Sequence, residues 1–118
     1  MIPNEVNIAG INYTVKEEAN MNAHYNLLGQ IFYTKGIIKL DAGMSEERKE
    51  RTFIHELLHG IFYEAGYEEQ DEDMINRVGI VLHQVLKDNK LDFKSPYEAL
   101  LDIPLVGHPN TPGDDDGR

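Results

Sequence analysis

One uninterrupted helical pattern, from Ser45 to Ala65, does most to limit what this chain can fold into. Apolar residues fall at Phe53, Ile54, Leu57, Leu58, Ile61 and Phe62, a wide stripe at helical spacing. Ser45 is a good N-cap. Glu46 and Glu47 follow in the first turn, where the helix dipole favours acid, and Gly66 is placed to end the helix. A helix with so broad an apolar face needs a surface to cover it.

The residues before it supply that surface. "VNIAGINYTV" (6–15) alternates apolar and polar residues around an Ala-Gly break and reads as a hairpin. "GQIFYTKGIIKLD" (29–41) reads as a second hairpin, with β-branched and aromatic residues flanking a turn at Thr34-Lys35-Gly36. Between them, "MNAHYNLLG" (21–29) reads as a loop with a short turn. After Gly66, Asp71 caps a second helix. Its apolar residues Ile75, Val78, Leu82, Val85 and Leu86 keep helical steps, and it ends near Asp88-Asn89. The expected fold is therefore α+β: a small antiparallel sheet of two hairpins, then one helix and a second helix packed beside it. Residues 1–90 form the expected domain. Residues 91–118 form a C-terminal extension, with room for one helical turn around Tyr97–Leu101 and an acidic, Pro- and Gly-rich tail.

The 118-residue length suits one domain with a modest core. There is no cysteine, so any metal must be held by His, Asp or Glu. A formal net charge of −10, with acid gathered at 68–73 and 114–116, argues against a nucleic-acid partner. No apolar run approaches the ~20 residues of a membrane span, and no basic segment followed by an apolar one opens the chain. A cytoplasmic setting without a membrane partner is the expectation.

The long helix carries "HELLH" at 55–59. Helical residues four apart share a face, about 6 Å apart, so His55 and His59 can grip one metal ion. Glu56 points about 100° round from His55, beside such an ion rather than on it, where a carboxylate can take a proton from activated water. From the chain's histidine and glutamate content, a chance match has odds of roughly two in a hundred. Its position inside a strong helix, with Leu57 and Leu58 toward a core, makes chance a poorer account still.

A third protein ligand is expected for zinc. Phe62 and Ala65 stand where the pattern His-x-x-Gly-x-x-His would need Gly and His, which excludes that class. Glu64 lies about 140° round the helix from His59 and is badly placed. Glu72, in the first turn of the second helix, is favoured, because a short helical hairpin returns that turn to the motif. Asp71 and Asp73 compete with it. Asn76, one turn after Glu72, is a candidate to hydrogen-bond the free ring nitrogen of a ligand histidine. Tyr63 is a candidate to stabilise an oxyanion, with Tyr67, His24 and Tyr25 as alternatives. His83 is too far along the second helix to reach the same ion and reads as a partly buried histidine. His108 falls in the tail, where it could reach back into an open site.

The stretches "HELLHGIFYEAGYEEQDEDMINRVGIVLHQVL" and "LLGQIFYTKGIIKLDAGMSEERKERTFIHELLHGI" resemble the small HEXXH metallopeptidase-like proteins of phages and prophages, related to the ImmA/IrrE type. The resemblance spans roughly residues 6 to 90. It implies a minimal gluzincin-like fold, zinc on His55, His59 and Glu72, and Glu56 as general base. Asn76 departs from the Asp that larger gluzincins carry at that place. Members of this type often cleave one regulatory protein.

The expected activity is therefore that of a zinc-dependent endopeptidase acting on a protein or peptide substrate. An edge strand at 30–33 or 37–40 would align the substrate backbone. The alternative is a non-catalytic zinc-binding accessory protein that grips a regulatory partner, a basic one by charge. Glu56 separates the two, since a pure binding site has no need of a base there.

Overall fold

The computed structural model describes residues 1–94. The turn expected around Tyr97–Leu101, the acidic tail and His108 lie outside the described residues.

Two strands, β1 (Glu5–Ile8) and β2 (Ile11–Glu18), form the first hairpin, with Ile8 opposite Ile11. Ala9 and Gly10 make the turn with φ of 54° and 88°. Positive φ at both central residues matches the right-handed twist of the strands. The second hairpin, β3 (Gly29–Phe32) and β4 (Ile37–Asp41), turns through Gly36 at φ 66°. Between the hairpins lies a short helix, α1 (Met21–Tyr25), where the sequence reads as loop. The cause is non-local. The buried Asp41 carboxylate, 20 positions away, accepts hydrogen bonds from the backbone N–H groups of Met21 (2.9 Å) and Asn22 (3.4 Å). Asn20 and Asn26 flank the helix in left-handed conformation, which asparagine tolerates.

The strand order is β1-β2-β4-β3, and β2 runs parallel to β4. The sheet is thus mixed and not antiparallel throughout, as the two hairpin patterns alone suggest. The connection through α1 stays at one end of the sheet and skips a strand position. β3 takes the outer place, and β4 returns through the gap beside β2. This makes β3 an edge strand and leaves β4 (37–40 of the expected pair) in the interior.

Helix α2 (Glu46–Glu64) starts as expected, with the Ser45 side chain accepting from Arg48 N–H. It lays Phe53, Ile54 and Leu58 onto Ile8, Tyr13, Val15, Ile38 and Leu40 of the sheet, all buried. Tyr13, fully buried, donates its hydroxyl hydrogen to Glu64 at 2.6 Å and so ties β2 to the far end of α2. Gly66, at φ 102°, ends the turn after α2. Helix α3 (Glu72–Asp88) opens on Asp71, whose carboxylate accepts from the N–H groups of Asp73 and Met74. It packs on α2 through buried Ile75 and Gly79, while Val78 and Leu86, of the same helical pattern, stay 44% exposed. Glu50 of α2 accepts from His83 (3.1 Å) and Lys87 (3.0 Å) of α3 and from the Met1 amine (2.9 Å). Among the described residues no helix is long and apolar enough to cross a membrane.

Asp41 is the test of this arrangement. Asp41→Ala strands two backbone donors and is expected to destabilise the fold by about 1–3 kcal/mol. A fall in the urea midpoint with an unchanged denaturant slope is the expected result; Ser45→Ala, which loses only an exposed cap, should cost about 1 kcal/mol.

Candidate metal centre

The site is built where α2 faces the start of α3. His55 and His59 project from successive turns of α2, on the flank beside the stripe that packs on the sheet. Their Nε2 atoms stand 3.3 Å apart. Glu72, the first residue of α3, bridges them. Its Oε2 lies 2.7 Å from His55 Nε2 and its Oε1 3.2 Å from His59 Nε2. Among the described residues this is the one group of three or more potential ligands whose ligand atoms lie close enough together to hold a metal. Asp71 and Asp73, the competitors of Glu72, are occupied elsewhere: Asp71 caps α3, and Asp73 pairs with Arg77 at 3.0 Å.

The donor set fits a small tetrahedral cation. Zinc bound tetrahedrally to imidazole nitrogen at 2.0–2.1 Å needs ligand atoms about 3.3–3.4 Å apart. The two nitrogens meet this at 3.3 Å, and the carboxylate reaches them through different oxygens, Oε1 to His59 at 3.2 Å and Oε2 to His55 at 2.7 Å. Residues His55 and His59 offer the same nitrogen, Nε2, toward the common point. The Nδ1–H of His59 donates to Gln70 Oε1, which keeps the proton on Nδ1 and the Nε2 lone pair free. Gln70 in turn donates from Nε2 to the Tyr33 hydroxyl at 3.5 Å. Gln70 was not singled out by sequence; at His59 it takes the role for which Asn76 was a candidate. Asn76 itself lines the adjoining cleft, one turn beyond Glu72.

Glu56 is 8% exposed, on the side of α2 that faces β3. A Cβ added to Gly29 of β3 would stand 3.3 Å from Glu56 Oε2 and 2.6 Å from Thr52 Cγ2, so the edge strand lies directly against this carboxyl. Its carboxyl has no hydrogen-bond partner among the described residues. Burial pushes its pKa up to about 7; nearby His59 acts to lower it, and Glu72 to raise it. An orphaned buried carboxyl beside a cluster of ligand atoms is the second observation that fits a cation here, since a positive charge would return it to its ionised form.

Tyr63 stacks on Tyr33, with ring centroids 4.1 Å apart and planes 7° from parallel. It does not line the cleft that holds His55, Glu56 and Glu72. Tyr33, just past β3, is linked to His59 through Gln70. Tyr67 packs edge-on against Phe62, and Tyr25 is 64% exposed. His83 is held by Glu50, as its distance along α3 requires. No family model, curated protein or solved structure matches this chain.

The raised Glu56 pKa has a consequence for stability. In the metal-free fold the protonated form is favoured, so between pH 4.5, the ordinary value, and about 7 the folded state binds more protons than the unfolded one. Stability conferred on the protonated form is complete below that window and is lost as pH rises through it, by on the order of 3 kcal/mol. With a chelator present, wild type should lose this increment between pH 4.5 and 7 relative to Glu56→Gln, measured by urea denaturation. Parallel curves for the two proteins would show that Glu56 ionises freely.

Proposed function

We propose that this protein is a zinc-dependent metallopeptidase that hydrolyses a peptide bond in a protein substrate, in a cytoplasmic setting, with His55, His59 and Glu72 holding the ion. The observation that carries the reading is the convergence of two imidazole Nε2 atoms and one carboxylate, 2.7–3.3 Å apart, beside a buried carboxyl with no partner. The resemblance of residues 6–90 to the small phage and prophage HEXXH proteins agrees with it.

When bound, zinc supplies Lewis acidity, which polarises a substrate carbonyl and makes a water molecule acidic enough to react near pH ~7. The rest falls to the chain's own side chains. Glu56 is poised to accept the proton of the attacking water. Burial excludes bulk solvent from it, and the positive charge of a bound ion would keep it ionised and ready to act as a general base. It then returns the proton to the leaving amine, so that it ends the cycle ionised as it began. Gln70 holds the His59 ring in the tautomer that presents Nε2. Among the described residues the outer edge of β3 has no strand beside it and runs past Glu56, so an extended substrate can add to the sheet there and set its carbonyl beside Glu56. A non-catalytic zinc protein would have no use for Glu56, whose burial without a partner costs stability.

Metal content comes first in testing this. Protein purified without a His tag or added metal should carry one zinc per chain by elemental mass spectrometry. Glu72→Ala should lose most of it, and Gln70→Ala should bind roughly 10–100-fold more weakly. Glu56→Gln should keep the zinc and lose peptide-library cleavage by a factor on the order of 10²–10⁴. No zinc after incubation with a modest excess would sink the reading. Zinc in wild type, with no cleavage difference at Glu56→Gln, would reduce the protein to a zinc-binding module.

A further inference from the structure

Side chains step round α3 by about 100° per residue, which sorts them onto four faces. Glu72, Asn76, Ile80 and His83 line the cleft at the metal centre. Ile75 and Gly79 are buried, and Leu82 beside them packs on the core. Asp73, Arg77, Gln84 and Asp88 share a solvent face, where Arg77 pairs with Asp73 and Gln84 donates to Asp88, both at 3.0 Å. The fourth face, between the buried and the solvent ones, holds Met74, Val78, Val81 and Val85.

These four residues follow one another by four, three and four positions, the spacing of a seam that packs against another element. The seam has no polar side chain. Met74 and Val78 are more than two-fifths exposed, Val81 is 58% exposed, and Val85 is half-buried. None of them lines the cleft at the metal centre. A face that met only water would resemble the polar one beside it. An apolar stripe left open along a helix marks a surface that something covers.

The chain carries a suitable cover close by. Residues 97–106, outside the described residues, read "YEALLDIPLV" and include Tyr97, Leu100, Leu101, Ile103, Leu105 and Val106. Tyr97 follows Asp88, the end of α3, by nine residues (97 minus 88). At full extension nine residues reach about 30 Å, and the seam is only about 16 Å long. Ser95-Pro96 favours a turn just before the segment. A segment tethered so closely acts at an effective concentration on the order of millimolar. A second copy is the weaker candidate. It would approach against a net charge of −10 on each chain. Four part-exposed side chains per copy also supply only a fraction of the ~1,200 Å² that a stable dimer buries.

We infer that residues 97–106 of the same chain pack along the seam of Met74, Val78, Val81 and Val85 and cover it. Helix α3, which carries Glu72, is then held from both sides, by α2 and by this segment. The packing does not depend on whether the site binds zinc.

The chain has no cysteine, so one introduced thiol reports on one place. Ile11, in the first hairpin, is 46% exposed, less than Val81 at 58%. On the full chain, Val81→Cys should nevertheless react with a thiol reagent on the order of ten-fold more slowly than Ile11→Cys. Adding Leu100→Asp and Leu101→Asp together should raise the Val81→Cys rate by a similar factor and leave that of Ile11→Cys unchanged. The first comparison needs no change in the segment, so it holds even where the double variant fails to fold. A Val81→Cys rate equal to or above that of Ile11→Cys overturns the inference, as does a slow rate untouched by the two aspartates. Protection that fades on dilution, with a dimer seen by sedimentation, would give the seam to a second copy and overturn it as well.

Discussion

The close approach of α2 to the edge of the sheet is the constraint from which the rest of the molecule follows. Two glycines allow it, one on each partner. A Cβ at Gly29 of β3 would meet Thr52 Cγ2 at 2.6 Å, and one at Gly60 of α2 would meet Ile8 Cδ1 at 2.9 Å and Ile31 Cδ1 at 3.0 Å. Real Cβ atoms do not sit that near to their neighbours. With both side chains absent, the helix settles against β3 and presses Glu56 onto the strand. Phe53, Ile54 and Leu58 then reach the core, and the same rotation of the helix turns His55 and His59 toward α3.

The treatment of carboxylates makes Glu56 stand apart. Asp41 accepts from two backbone N–H groups, Glu50 from His83, Lys87 and the Met1 amine, and Glu64 from the Tyr13 hydroxyl. Each inward-facing acid thus has donors that stabilise its charge. Glu56 has none among the described residues, and its pKa is raised accordingly to about 7. A helix under selection for stability alone would carry an apolar residue at this depth, where an unpaired carboxyl costs free energy in either protonation state. The cost is borne by a helix well fixed at both ends: by Ser45 and the Glu50 pairs on one side, by Tyr13 and Glu64 on the other.

What was legible in the sequence was what neighbouring residues decide among themselves. Ser45, Asp71 and Gly66 bound their helices because capping is a local event, and the Ala9-Gly10 and Gly36 turns made hairpins for the same reason. The motif spacing placed His55 and His59 on one face by helix geometry alone. Contacts between distant parts were not legible. The parallel pairing of β2 with β4 depends on α1, and α1 depends on Asp41, twenty positions on. Gln70 sits in a turn whose path follows from Gly66, so no periodicity announces that its amide meets His59. Asn76 lies one turn beyond Glu72 and lines the cleft, while the free ring nitrogen of His59 is met from the loop. Helical spacing likewise marked Val78 and Leu86 as apolar positions without revealing that α2 leaves them 44% exposed.

Helix α3 has to deliver Glu72 to a point defined by two histidines on another helix, although Glu72 is itself 62% exposed along its side chain and so is held by little packing of its own. Its position is fixed from elsewhere on the same helix. Asp71 sets the first turn by capping Asp73 and Met74. Ile75 and Gly79, both buried, seat the next two turns on α2. Three turns beyond Glu72, His83 and then Lys87 meet Glu50 and prevent the helix from sliding along its neighbour. A shift of one residue along α3, about 1.5 Å, is comparable to the whole difference between a ligand atom in reach and one out of it. His83, too distant to share the ligand group, therefore matters to it all the same, because it is the far fixed point of the rod whose near end carries Glu72.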